Sequence, residues 1–157
     1  MAGAVVGMFE STIARVVTLA AFLPVLAGQS GNTGCQALAV TLRGMTLNEL
    51  KPGMERKLIS KEAFLGLSNG LLVGLTAALV MYGYAYFTGA GEPIVLSLVV
   101  MLAMTGACVA SGVAGVLVPL VLRRLGADPV TASTIFLTTA TDIVSMGLLL
   151  ALATMMI

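Results

Sequence analysis

The stretch IVLSLVVMLAMTGACVASGVAGVLVPLVL, from Ile94 to Leu122, carries no charged side chain. It is longer than the roughly 20 apolar residues that cross a bilayer as a helix, and nothing in it alternates like a strand. Three further apolar segments, at about residues 16–42, 63–87 and 130–156, flank it. Together they predict an all-α integral membrane protein with four full transmembrane helices. Residues 1–157 then form a single transmembrane domain. Met1 to Met8 is apolar but too short to span, and reads as a short N-terminal helical stub, the end of a helix that begins elsewhere.

The composition agrees. The chain is 59% hydrophobic and 10% charged, with a mean hydropathy of +1.07, too little charge to cover a water-soluble domain of this length. A net charge of +1 provides no footprint for a nucleic-acid partner. No basic region precedes the first apolar residues, so the N-terminus does not read as a cleaved signal peptide. Histidine is absent, which removes the commonest acid–base group and metal ligand and argues against an enzyme. Cys35 and Cys108 both lie in apolar segments and form neither a zinc site nor a disulfide framework.

Orientation follows from Lys and Arg. They gather in the connection 43–62, as Arg43, Lys51, Arg56, Lys57 and Lys61, and in the connection 123–128, as Arg123 and Arg124. The turn at Glu92-Pro93 and the C-terminus have none. The positive-inside rule makes both basic loops cytoplasmic and both chain ends external in the cell membrane, with the bilayer as surroundings. Lys51-Pro52-Gly53 is expected to break any helix, and the charged run Glu55–Glu62 to be a solvated lead into the second span. Asp128-Pro129 supplies a cap and first turn for the last one. Gly106, Gly112 and Gly115 read as close helix packing.

Two features break the apolar rule at depth. Asp142 lies near the middle of the last span, where a carboxylate costs on the order of 2.5–3.5 kcal/mol on insertion scales. No Lys or Arg stands three or four residues away. Thr134, Thr138, Thr139, Thr141 and Ser145 give the same helix a hydroxyl-rich side. The second feature is Pro24 to Gln36 in the first span. Gly28, Gly31 and Gly34 recur every third residue, which places them along one side of a helix. Gln29, Ser30, Asn32, Thr33 and Gln36 would be costly against lipid. Pro24 removes one backbone hydrogen bond just before them. A small-residue packing face explains the glycines but not the amides and hydroxyls; a pore-lining helix explains both. An oxygen-rich site with one carboxylate and no imidazole suits a hard, hydrated divalent cation such as Mg²⁺.

Pro24 to Gln36 followed by Arg43, and Arg123-Arg124-Leu125-Gly126-Ala127-Asp128-Pro129 leading through Thr138-Thr139 to Asp142 and Gly147, resemble the signatures of the MgtE family of magnesium channels. The resemblance covers essentially the whole chain as that family's membrane domain. It implies a homodimer with the pore on its two-fold axis, and Mg²⁺ as the transported and bound ion. Asp142 matches the family's pore aspartate, Gly28, Gly31 and Asn32 match positions along the ion path, and Thr138 matches one whose backbone faces it. Cys35 and Thr134 stand where the family often has pore-side asparagines, and with Gln36 and Ser145 they form a second tier of candidates. Most of the family's first membrane helix and its cytoplasmic regulatory domains have no counterpart in the sequence. The expectation is a pore that internal Mg²⁺ regulates poorly unless a separate cytoplasmic domain or protein acts on it. A proton- or Na⁺-coupled divalent-cation exchanger using Asp142 and a non-transporting membrane subunit are the alternatives.

Overall fold

The computed structural model describes residues 2–51 and 53–157. Met1, where the stub was expected to begin, and Pro52, read above as a helix breaker, lie outside the described residues. All regular structure among the described residues is helical: α1 (Ala2–Met8), α2 (Glu10–Arg15), a 3₁₀ segment (Val17–Phe22), α3 (Leu23–Thr46), α4 (Glu55–Thr88), α5 (Pro93–Arg124) and α6 (Pro129–Met156).

Three of these, α4, α5 and α6, are long and apolar enough to cross a membrane. The expected first span over 16–42 is not one uniform apolar helix. Val17–Phe22 winds as a 3₁₀ helix, and α3 starts only at Leu23, with Pro24 inside its first turn. The reason is local. Proline has no N–H to return to the carbonyl four residues back, so the preceding turn tightens into i→i+3 bonds, the Leu23 N–H reaching Ala20. The polar run in its middle then keeps α3 less apolar than the other three.

The charged run Glu55–Glu62 is helical as well, which corrects its reading as a loop. Hydropathy fades at the charges, but backbone hydrogen bonding does not, and α4 extends for 34 residues, about 51 Å at 1.5 Å per residue. It ends at Gly89, whose φ of +65° is the left-handed conformation that glycine adopts freely. Asp128 caps α6 as expected: Oδ1 accepts from the Val130 N–H at 3.0 Å, and Oδ2 accepts from the Thr131 hydroxyl.

Packing centres on α5, which runs against α4 along its length and touches both α3 and α6, whereas α3 and α4 barely meet. Gly66, Gly70 and Gly74 recur every fourth residue and form one ridge of α4. A Cβ at Gly66 would lie 2.5 Å from the Cys108 carbonyl oxygen, and one at Gly70 2.8 Å from the Thr105 Cα. On α5, Gly112 and Gly115 do the same for the Glu62 carbonyl (2.7 Å) and the Gly34 carbonyl (2.5 Å). Backbone touches backbone at each crossing, the small-residue packing that helices use in lipid.

The two ends of the bundle differ. Lys51, Glu55, Arg123 and Arg124 line one hollow, so the basic connections share an end. Val16, Glu92 and Ile157 line another at the opposite end. There the N-terminal segment is tied to α6: the Thr12 and Thr154 hydroxyls are 2.8 Å apart, and Arg15 donates to the Ile157 carbonyl at 2.9 Å. The stub α1 lies along α6, with Val5 3.7 Å from where a Cβ of Gly147 would be.

Candidate functional site: a polar seam between α3 and α6

At 100° per residue, three glycines spaced by three do not stay in line; they fan by 60° each. The structure has this fan. A Cβ at Gly28 would meet nothing within 4 Å, one at Gly31 would come to 4.0 Å from Thr141 Oγ1, and one at Gly34 would press on Leu137, Thr141 and the Ser111 carbonyl at 3.3 Å. Gly34 is therefore the packing glycine, Gly31 lies at the edge, and Gly28 faces open space. The expectation that all three share one side is corrected accordingly.

Gly28, Asn32 and Cys35, with Gln29 and Gln36 beside them, form an exposed stripe on α3. Thr134, Thr138 and Asp142 follow at i, i+4 and i+8 on α6; the two threonines are exposed and Asp142 is half-buried. The Gly31–Thr141 approach puts the middle of the α3 stripe and Asp142 at the same level. The structure thus brings Asp142, Gly28, Gly31, Asn32, Cys35, Thr134 and Thr138 to neighbouring faces of two adjacent helices. It leaves Ser145 out: that side chain is fully buried and donates to the Asp142 carbonyl at 3.2 Å. Gln36 lies on the far edge, toward α4.

The hydroxyls lean back onto their own helix. Thr138 donates to the Thr134 carbonyl at 3.0 Å, Thr139 to Ile135 at 2.9 Å and Thr141 to Thr138 at 3.0 Å. A hydroxyl whose proton is engaged this way still has oxygen lone pairs to offer. Thr138 is exposed, so its oxygen presents acceptors outward. Among the described residues the one ion pair is Lys61–Glu62; no cation neutralises Asp142. No cluster of three or more His, Cys, Asp or Glu is present among them either, so a cation at this seam would meet one carboxylate, neutral oxygens and water.

One polar group escaped the sequence reading. Glu62 belongs to the charged run expected to be solvated, yet it is 5% exposed and sits four residues before Gly66, on the same ridge of α4. That spacing was the available signal.

The described residues thus form three helices long and apolar enough to cross a membrane, packed through glycines, with an exposed polar stripe on α3 beside α6. The family model for MgtE, described as a divalent cation transporter, matches residues 23–152, and the chain belongs to the MgtE family. Among curated relatives, the magnesium transporter MgtE of Enterococcus faecalis is 32% identical over 147 residues, covering 94% of this chain and 31% of that protein. The magnesium transporter MgtE of Bacillus subtilis is 30% identical over 154 residues (98% and 33%), and that of Thermus thermophilus 32% over 149 (95% and 32%). The chain spans about one third of the length of these relatives. The family is one of ion transporters, in keeping with the reading that the chain is not an enzyme.

Proposed function

We propose that this chain forms the membrane pore of a Mg²⁺ transporter, conducting a hydrated divalent cation past Asp142. The observation that carries the reading is the polar seam: the α3 stripe and Asp142 share a level, and this chain's own helices leave the stripe exposed and Asp142 only half-covered. Amides, hydroxyls and a carboxylate turned toward lipid would each be costly. A second copy placed face to face would shelter them around water, with one Asp142 from each chain. In this reading α3 is the fourth crossing helix, its polar side turned to the pore and its apolar side to α5 and α6. The basic end of the bundle is cytoplasmic, and both chain ends are external.

Oxygen ligands with few charges suit Mg²⁺, which sheds water reluctantly and keeps several in protein sites. The inside-negative potential supplies roughly 2.3 kcal/mol per charge per 100 mV, so inward flow of a divalent cation needs no coupled ion. The relatives named magnesium transporters support the choice of ion.

The test is Mg²⁺ uptake into proteoliposomes under an inside-negative potential, with wild type and Asp142→Ala side by side. Uptake by wild type and none by the variant is expected. Equal uptake by both would refute the role of Asp142, and flux that needs a proton or Na⁺ gradient would replace the channel by an exchanger.

A further inference from the structure

Off the seam, on the opposite flank of α3, the groove between α3 and α4 holds a second set of oxygen ligands. Its centre is Glu62. The α4–α5 contact fixes this residue, because its carbonyl occupies the space a Cβ on Gly112 would need. The side chain is 6% exposed, and Oε1 accepts no hydrogen bond. Its nearest cation is the neighbouring Lys61 ammonium at 3.7 Å, on a side chain 59% exposed. That distance is too long for a charge-assisted hydrogen bond.

The carboxylate borders a hollow of about 220 Å³, whose polar lining is Thr33, Gln36, Asn69, Lys61 and Glu62 itself. Thr33, Gln36 and Asn69 also line an open hollow of about 600 Å³ that reaches the exposed α3 stripe at Gln29 and Asn32. The two spaces are therefore joined along shared side chains. Lys61 is the one cationic residue in either lining. The Thr33 proton is directed to the Gln29 carbonyl (3.2 Å) or the Cys108 sulfur (3.6 Å), which leaves oxygen lone pairs on the groove side. A buried carboxylate with one oxygen that accepts no hydrogen bond is costly by itself. With two amide oxygens, a hydroxyl and room for several waters, it is the kind of set that holds a hard cation through part of its hydration shell.

We infer that the α3–α4 groove is a second divalent-cation site, with Glu62 as its charged ligand and Thr33, Gln36 and Asn69 as neutral ones. Lys61 is its tethered competitor: the ammonium sits over the carboxylate when no ion is bound and swings to solvent when one is. Gly112 against Glu62 and Gly115 against Gly34 place the Glu62 backbone close to the Gly31–Thr141 level, on the other flank of α3. The inference rests on the proposed function only for the choice of ion, and it does not require Asp142 to conduct.

The test counts sites on the purified full chain in lipid nanodiscs, with Mn²⁺ as the probe and free Mn²⁺ read by its electron paramagnetic resonance signal. Wild type is expected to bind in two classes, both displaced by Mg²⁺. Glu62→Gln should remove one class and Asp142→Asn the other. Lys61→Met, at an exposed position that does not threaten folding, should tighten the Glu62 class several-fold. An isotherm for Glu62→Gln that superimposes on wild type overturns the groove site and leaves the pore reading standing. Loss in Glu62→Gln with no change in Asp142→Asn does the reverse. Should Glu62→Gln not fold, Lys61→Met decides: unchanged or weaker binding overturns the site.

Discussion

Gly115→Ala adds one methyl group where three atoms of α3 already stand. The new Cβ would lie 2.5 Å from the Gly34 oxygen, 2.7 Å from the Ala37 Cβ and 2.9 Å from the Leu38 nitrogen, whereas ordinary contact begins near 3.4 Å. None of these is the free end of a flexible side chain, so α3 and α5 must part by about 0.9 Å (3.4 − 2.5). Overpacking of this kind costs about 1–3 kcal/mol, and rigid neighbours favour the upper end. Replacing a mid-helix glycine by alanine returns up to about 1 kcal/mol of helix propensity. The net is a loss of about 2 kcal/mol, which for a chain of this size is a drop in Tm of roughly 4–8 °C. Gly83→Ala is the control: it is also inside a helix, but nothing lies within 4 Å of its Cβ, so only the propensity gain remains. Unfolding can be followed at Cys108, which is buried while Cys35 is exposed. After Cys35 is blocked in the folded protein, a thiol-reactive dye reports the temperature at which Cys108 opens. A Gly115→Ala melt at or above wild type, or an equal fall in Gly83→Ala, would refute the claim that backbone contact holds α3 to α5.

At Asp128, the Thr131 hydroxyl and then the Val130 N–H hold the carboxyl below its ordinary range. A depressed pKa means that the cap contributes stability above the usual Asp value near 4 and loses it as pH falls through the folded value. Asp128→Ala should therefore melt below wild type at neutral pH, with the gap closing on acidification; a gap unchanged down to about pH 3 would show that the charged form is not what caps α6. At the seam, Thr138→Val keeps the shape and removes the outward lone pairs. Uptake should fall roughly two- to tenfold, the worth of one hydrogen bond, and Thr138→Ser should keep it; wild-type rates in the valine variant would leave only the backbone at that position as a contact.

The long helices were legible where the sequence has sharp start signals. The expected spans 94–122 and 130–156 differ from α5 and α6 by one or two residues, since Pro93 and Asp128-Pro129 admit few other beginnings. The start of α4 was missed because hydropathy marks where lipid ends, not where hydrogen bonding does. The 3₁₀ segment was missed because i→i+3 and i→i+4 winding bury similar apolar patterns over six residues; Pro24 was the clue to a disturbance, not to its form. In the site, the order Gly28, Asn32, Cys35 on one face follows from helix geometry alone, as does Thr134, Thr138, Asp142. Ser145 shows the limit: one turn beyond Asp142 it has rotated into the core, which depends on where α5 lies. Glu62 shows the other limit, since charged neighbours at Lys61 and Arg56 hid a residue whose place is set by the glycine ridge.

The α4–α5 hairpin also sets an order of assembly. Its helices are joined by the short turn Gly89–Glu92, so little chain entropy opposes their meeting, and their contact is local in sequence. α3 is made earlier but has few dealings with α4, its first successor. One of its supports arrives with α5, and the other, at Gly31 and Gly34, only with α6. A nascent chain that has not yet reached Pro129 thus holds a closed hairpin beside a polar helix secured on one side. Within this bundle α6 is the helix that locks α3 in place.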